Sequence, residues 1–298
     1  MGRKSKFFYA ESKIESYFKN LDKRILSTED LGIILFEKHR EWQLASRYNI
    51  VNFINDLKKG SLYKYVLVSL KDNNGTEILQ IERFVKEPYS VFEIALSIKN
   101  NCYLSHYSAM LLNGLTEQIP KILYITHELS PKTIKENTLT QENIDKAFSK
   151  PQREPSQYYE FEGYKVFLLN GKHSKKSGVI KVDSVFGKNL ATTNLERTLI
   201  DITVRPNYSG GIVEVYNAFK NSVEKISVNK LSAILTKLDF IYPYFQSIGF
   251  LIQKAGITKE SQLTLMKKKD MLFDFYLSYD MKEVNYSAEW KLFYPKEL

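Results

Sequence analysis

Apolar positions recur at helical spacing three times in the first sixty residues, each time with its own start or stop signal. Ile14, Tyr17, Phe18 and Leu21 stand at i, i+3, i+4 and i+7, the stripe of a helix over about residues 10–21. Ser27, followed by Thr28, Glu29 and Asp30, offers an oxygen to cap the next helix and acids that suit its positive end. That helix is expected to bury Leu31, Ile34, Leu35 and Trp42. A third, after Ala45 and Ser46, carries Ile50, Phe53, Ile54 and Leu57 and stops at Gly60. The period then changes to two. Residues 62–68 and 78–81 read as strands, with Asn73-Asn74-Gly75 as the turn between them. Three helices followed by a hairpin is the order of a winged helix-turn-helix, whose third helix enters the major groove while the hairpin touches the DNA backbone or minor groove.

Pro88 opens a second region, giving expected domains at 1–87 and 88–298. Val91, Ile94, Ala95 and Ile98 form a helical stripe, and residues 103–115 read as a short capped helix closed by Gly114. Residues 121–126 look like a buried strand. Residues 130–157 are polar and contain Pro131, Pro151 and Pro155, so a surface excursion is expected, with only Ile144 and Phe148 hinting at a helix. Short strands are expected at 158–161, 164–169 and 178–182. Thr193 and Glu196 have the spacing of a capping box for a helix carrying Leu195, Thr198, Leu199 and Ile202, stopped by Arg205-Pro206. Helices near 213–219, 231–238 and 244–254 and strands near 272–277 and 290–294 complete the reading. Strands and helices interleave without a strict βαβ rhythm, so the expected class is α+β, a winged helix-turn-helix followed by a larger mixed α/β domain. No repeat period is visible.

The third helix has a second, polar stripe. Tyr48, Asn52, Asn55 and Lys59 fall at i, i+4, i+7 and i+11, opposite the apolar residues. Asparagine is a weak helix former, whereas its amide pairs with N6 and N7 of adenine together, and Arg47 and Lys59 suit phosphates. Between residues 44 and 71 there are five basic side chains (Arg47, Lys58, Lys59, Lys64, Lys71) and one acid, Asp56. With Asn49 at the helix start, the candidate DNA contacts are Arg47, Tyr48, Asn49, Asn52, Asn55, Lys58, Lys59, Lys64 and Lys71. A winged helix used only for docking proteins is the plainer alternative.

Total charge sharpens this little. The 298 residues carry 43 Lys and Arg against 34 Asp and Glu, a formal +9, which favours polyanionic partners without locating them. The single cysteine, Cys102, forms no intramolecular disulfide, and His39, His106, His127 and His173 are too scattered to complete a zinc site with it. A reducing, cytoplasmic setting is therefore expected. The basic N-terminus is not followed by the apolar run of a signal peptide, and no run of apolar residues is long enough to span a membrane, so no membrane partner is expected.

Familiar catalytic motifs are absent: no phosphate-binding glycine loop, no H-E-x-x-H and no G-x-S-x-G. Ser105 and His106 are adjacent in sequence, which does not place a nucleophile beside its base. Residues 172–176 (Lys-His-Ser-Lys-Lys) and 267–269 (Lys-Lys-Lys) read as solvated basic turns. Asp183, Glu196 and Asp201 are the carboxylates that a Mg²⁺-dependent nuclease would need. However, Glu196 is accounted for by the capping box, and no E-x-K follows Asp183. The expectation is no catalytic residue, no metal and no cofactor, with the nuclease as the alternative.

Two blocks carry more information than composition. The stretch Tyr103-Leu104-Ser105-His106-Tyr107-Ser108-Ala109, continuing to Asn113-Gly114-Leu115-Thr116-Glu117-Gln118-Ile119-Pro120, is the first. Thr192-Thr193-Asn194-Leu195-Glu196-Arg197-Thr198-Leu199-Ile200-Asp201, followed by Arg205-Pro206 and Ser209-Gly210-Gly211, is the second. Together they resemble the AbiEi family, antitoxins of type IV toxin–antitoxin systems tied to abortive phage infection. The resemblance implies a DNA-binding first domain that represses the protein's own operon by binding double-stranded promoter DNA. It also implies a second domain that counteracts a nucleotidyltransferase-like toxin, with direct contact between the two left open. The toxin's own signature, Gly-Ser followed by Asp-x-Asp, is absent: Gly60-Ser61 is followed only by Asp72. Arg197 and Asp201, at i and i+4, are expected to pair along their helix.

Overall fold

Short polar side chains start most of the helices, as a computed structural model of the chain shows over the residues it describes, 6–60, 63–131, 139–267 and 271–298. Residue 62 of the expected strand, residues 132–138 of the expected excursion, and Lys268 and Lys269 of the basic run lie outside them. The first hundred residues form α1 (Lys6–Asn20), β1 (Ile25–Ser27), α2 (Thr28–Lys38), α3 (Ile50–Lys59), β2 (Lys64–Asp72), β3 (Glu77–Val85) and α4 (Val91–Ser97). Next come β4 (Tyr103–Leu104), α5 (His106–Leu112), β5 (Ile122–Glu128), α6 (Gln141–Phe148), β6 (Gln157–Phe161), β7 (Tyr164–Gly171), β8 (Val179–Ser184) and β9 (Gly187–Thr193). The remainder is mostly helical, with α7 (Leu195–Val204), α8 (Ile212–Ser222), α9 (Val228–Leu238), α10 (Tyr244–Lys254) and α11 (Glu260–Met266). Three short strands end it: β10 (Phe275–Tyr276), β11 (Val284–Ser287) and β12 (Leu292–Pro295). The class is mixed α and β.

The chain divides into two compact units. One comprises Met1–Asn100, Gln157–Lys165 and Val185–Gly187, the other Asn101–Ser156, Val166–Ser184 and Lys188–Leu298. In the first unit the strand order is β1-β3-β2-β6, with every neighbouring pair antiparallel. Its core gathers Ile14 and Phe18 of α1, Leu31 of α2, Phe53 of α3, Phe84 of β3 and Trp42. Phe18 meets Tyr63 edge-on at 5.3 Å between ring centroids, and Trp42 lies 5.8 Å from Phe53, so aromatic contact holds the three helices together. Ser27 caps α2 in a reciprocal box with Asp30, as the acids after it suggest.

Trp42 lies beyond the last residue of α2. The winding continues as a turn that ends where Gln43 adopts φ 52, with Gln43 N–H donating to Arg40 O (3.0 Å) and Leu44 N–H to His39 O (3.2 Å). That is the Schellman pattern, normally built on glycine. Glutamine hides the signal. The helical stripe after Pro88 is also held by a distant partner: buried Arg83 of β3 donates to the Ser97 carbonyl at the end of α4 through Nε (3.2 Å) and Nη2 (2.8 Å). A cation at the carbonyl end of a helix is favoured.

In the second unit the strand order is β7-β5-β4-β9-β8, and a separate sheet has the order β10-β12-β11. Its core lies among α5 and α7–α11, around Leu199, Phe219, Leu231, Ile248, Leu251 and Trp290. The expected surface excursion is corrected in part: α6 turns Ile144 and Phe148 into this core. The capping box at Thr193 is also corrected. Thr193 ends β9, and Asn194 caps α7 by accepting from Arg197 N–H at 2.9 Å.

Gly249 in α10 has no room for a side chain, because an added Cβ would stand inside the ring of buried Trp290. Replacing a helix-interior glycine by alanine ordinarily gains about 1 kcal/mol. Here the overpacking should reverse the sign, and Gly249→Ala is expected to lower stability by about 1–3 kcal/mol in thermal or urea unfolding.

Candidate functional site

Helix α3 is short, and its first turn is organised by its own asparagines. Asn49 is the N-cap, its Oδ1 accepting from Asn52 N–H at 3.0 Å, while Asn52 Oδ1 accepts from Asn49 N–H at 3.2 Å. Both residues are exposed, and the cap uses their oxygens and not their amide NH₂ groups. Asn55, one turn on, is exposed, and Arg47 is exposed and forms no ion pair among the described residues. Tyr48 turns the other way. It is half-buried, stacks with Phe7 at 6.0 Å, and donates its hydroxyl to Asp56 at 2.9 Å. Burial first, then that bond, holds the phenol well above its ordinary range, so it stays a donor.

The lysines are paired by acids, one within α3 itself and the others from β3, the residues after it and β6. Lys59 meets Asp56 at 2.8 Å, Lys58 meets Glu82 at 2.6 Å, Lys64 meets Glu87 at 2.5 Å and Lys71 meets Glu160 at 2.9 Å. Lys58 also lies 4.8 Å from the Tyr65 ring centroid. Such partly exposed pairs are weak and exchange readily for a phosphate. The local excess read between residues 44 and 71 is therefore smaller in space than along the chain. Glu82, Glu87 and Glu160 lie outside that stretch, and no local signal couples them to it. The hairpin of β2 and β3 is long, and residues 69–72 of β2 pair with β6 on their other side.

The second unit holds a buried polar network built by the two motif blocks. Arg197 Nε donates to Asp201 Oδ1 at 2.8 Å, Nη1 to the Ser177 carbonyl at 2.8 Å and to Ser174 Oγ at 3.3 Å, and Nη2 to Tyr103 Oη at 3.3 Å. Burial works against the guanidinium, but Asp201 beside it, with Tyr103 and Glu128, keeps it fully charged. Glu128 accepts from the Ser174 hydroxyl and from Ser174 N–H (2.8 Å) and Lys176 N–H (3.1 Å). Burial opposes its charge, and those bonds outweigh it and hold the carboxyl below the usual range. Asn113 Nδ2 donates to Thr193 O at 3.0 Å and Thr198 Oγ1 at 3.1 Å, and Leu104 pairs with Thr192 across the parallel β4 and β9. The two blocks, some eighty residues apart, thus meet in space.

The structure sends the other chemical candidates to separate places. Asp183 is exposed and accepts from Asn189 N–H at 2.7 Å, Asp201 faces Arg197, and Glu196 lies 2.9 Å from Lys230 Nζ and accepts from Ser227 N–H at 3.3 Å. Glu196 therefore meets the start of α9 and not its own cap. Among the described residues no group of three or more His, Cys, Asp or Glu is placed to hold a metal ion. His106 is buried at φ 50, with Nδ1 at 3.0 Å from Ser105 Oγ, which is itself 2.7 Å from Thr126 Oγ1. Cys102 is buried. In the basic turn at 172–176, Ser174 is a buried member of the Glu128 network and only its neighbours are solvated. Among the described residues no helix is long and apolar enough to cross a membrane.

No family model matches the chain, and no curated protein does. Among solved structures, the crystal structure of the RV2827C protein from Mycobacterium tuberculosis superposes with a TM-score of 0.56 over 96% of this chain and 91% of that one, at 15% identity. At that identity the likeness is one of fold.

Proposed function

We propose that the chain is a DNA-binding transcriptional repressor of its own operon and the antitoxin that counteracts a nucleotidyltransferase-like toxin. The observation that carries the DNA-binding half is α3. Asn52 and Asn55 of α3, its N-cap Asn49 and Arg47 in the turn before it face solvent beside a hairpin, within the order α1-β1-α2-α3-β2-β3 and with β3 lying between β1 and β2. That order is the one in which a winged helix-turn-helix offers its third helix to a major groove. The antitoxin half rests on the AbiEi resemblance, whose two blocks pack on each other in the second unit.

Gel shifts on the DNA upstream of the gene test the reading. Asn55→Ala should cost about 1–3 kcal/mol at the cognate site and relax sequence preference. Lys64→Ala should weaken all sequences alike and flatten the salt dependence by about one ion. Asn52 needs a substitution that spares the cap: Asn52→Asp keeps the acceptor and suits the helix N-terminus, yet removes the amide donor and repels phosphate. It should fold normally and lose operator binding. Unchanged binding by the pair Arg47→Ala and Asn55→Ala would remove α3 as the reading element. Co-expression with a neighbouring nucleotidyltransferase gene, read as growth rescue, tests the antitoxin half separately.

A further inference from the structure

Helix α2 carries a face that no described residue of its own unit covers. Phe36 is 88% exposed and Ile33 53% exposed. With Glu29 and Arg40 they follow a 4-3-4 spacing, which places all four on one face, in the pattern of a seam between paired helices. The winding beyond Lys38 keeps Arg40 on that face, since Trp42 N–H donates to Lys38 O at 2.9 Å. Glu29 and Arg40 are both exposed and form no ion pair among the described residues, although their neighbours do so in Lys23–Asp30 and Lys38–Glu41. Beside Phe36 is an open hollow of about 370 Å³ lined by Gly32, Leu35, Phe36, His39 and Arg40. Gly32, Leu35, Phe36 and His39, at i, i+3, i+4 and i+7, make the kind of hole that receives a knob from a facing helix, and Gly32 adds no side chain to fill it.

We propose that this face is an interface with a second copy of the chain, formed by two α2 helices packed antiparallel about a two-fold axis. The acid, two apolar residues and base are arranged symmetrically about the point between Ile34 and Leu35. A two-fold there sets Glu29 against Arg40 of the second copy and Ile33 against Phe36 of the second copy, twice over. Self-complementarity of this kind is what an isologous contact requires. A parallel pairing would oppose Glu29 to Glu29 and Arg40 to Arg40. The seam is short and below the size of a standard interface, so the dimer should dissociate on dilution. The pairing does not depend on the DNA-binding reading.

Sedimentation of the full chain across a concentration series tests it, with melting followed for each variant. The chain should pass reversibly from monomer to dimer, and Phe36→Ser, Glu29→Arg and Arg40→Glu should each remain monomeric. The two charge variants, one with Arg at both positions and the other with Glu at both, should form a heterodimer when mixed. The double variant Glu29→Arg/Arg40→Glu should dimerise as the parent does. Arg40 is exposed and lies past the last residue of α2, so Arg40→Glu alone carries the test should Glu29→Arg fail to fold. A chain that stays monomeric over its whole soluble range overturns the proposal. So does a dimer indifferent to Phe36→Ser and Arg40→Glu, and monomeric charge variants that do not combine on mixing overturn the antiparallel register.

Discussion

Arg197→Met should cost about 3–5 kcal/mol, which for a unit of this size is a melting shift on the order of 10 °C. The reason is the asymmetry of buried ion pairs. Arg197 and Asp201 have side chains 4% and 10% exposed, so removing the cation leaves an anion without compensation in the interior. It also strips donors from the Ser177 carbonyl, Ser174 Oγ and Tyr103 Oη. Arg197→Lys should recover little of the loss, because a point charge cannot serve acceptors that a planar fork reaches in several directions. Asp201→Asn combined with Arg197→Met should be less damaging than the sum of the two, with a coupling of about 1–3 kcal/mol. Unfolding curves and amide exchange in α7 read both effects. A loss under 1 kcal/mol for Arg197→Met would show that the network is not what ties α7 to the strand and loop around it.

The pairing of Arg197 with Asp201 is visible in sequence because it lies within one helix turn. The cap of α2, the end of α3 at Gly60 and the span of α10 are legible for the same reason: each is set by residues within four positions of one another. Reading fails where the partner is distant. Nothing near Arg83 announces Ser97, and nothing near Lys71 announces Glu160. Spacing makes Thr193 a cap, yet β9 takes it, and Asn194 next to it does the capping. The strands β9 and β11 and the helix α11 carry too few apolar residues at a clean period to be found by pattern.

The candidate site shows the same division more sharply. Exposure of Asn52 and Asn55 follows from their position opposite Phe53 and Leu57, which periodicity supplies. The use of Asn49 and Asn52 as caps was hidden, because an asparagine selected to read a base and one selected to start a helix look alike in sequence. Tyr48, two residues before α3 begins, is drawn off the stripe by Asp56. Charge counted along the chain also overstates charge counted in space, since β3 and β6 return carboxylates to lysines that look unpaired.

Stability should fall with acid well before the carboxylates titrate, and His106 should set the onset. Burial first, then the charges of Arg197 and Arg205, push its pKa from 6.5 to about 3. The folded state therefore refuses a proton that the unfolded chain accepts. The contribution is complete above pH 6.5 and is lost progressively between 6.5 and about 3, at up to about 1.4 kcal/mol per pH unit. By pH 4.5 the loss should approach about 3 kcal/mol. His106→Asn should flatten that slope while tolerating the local backbone, since asparagine accepts positive φ better than most residues. Its stability at pH 7 would drop for lost packing against Tyr208, so the slope and not the level is the readout. Arg197→Met links the two predictions. With one of the repelling charges gone, His106 should accept a proton at higher pH in the folded state. The acid-sensitive window of that variant should then be narrower than that of the parent.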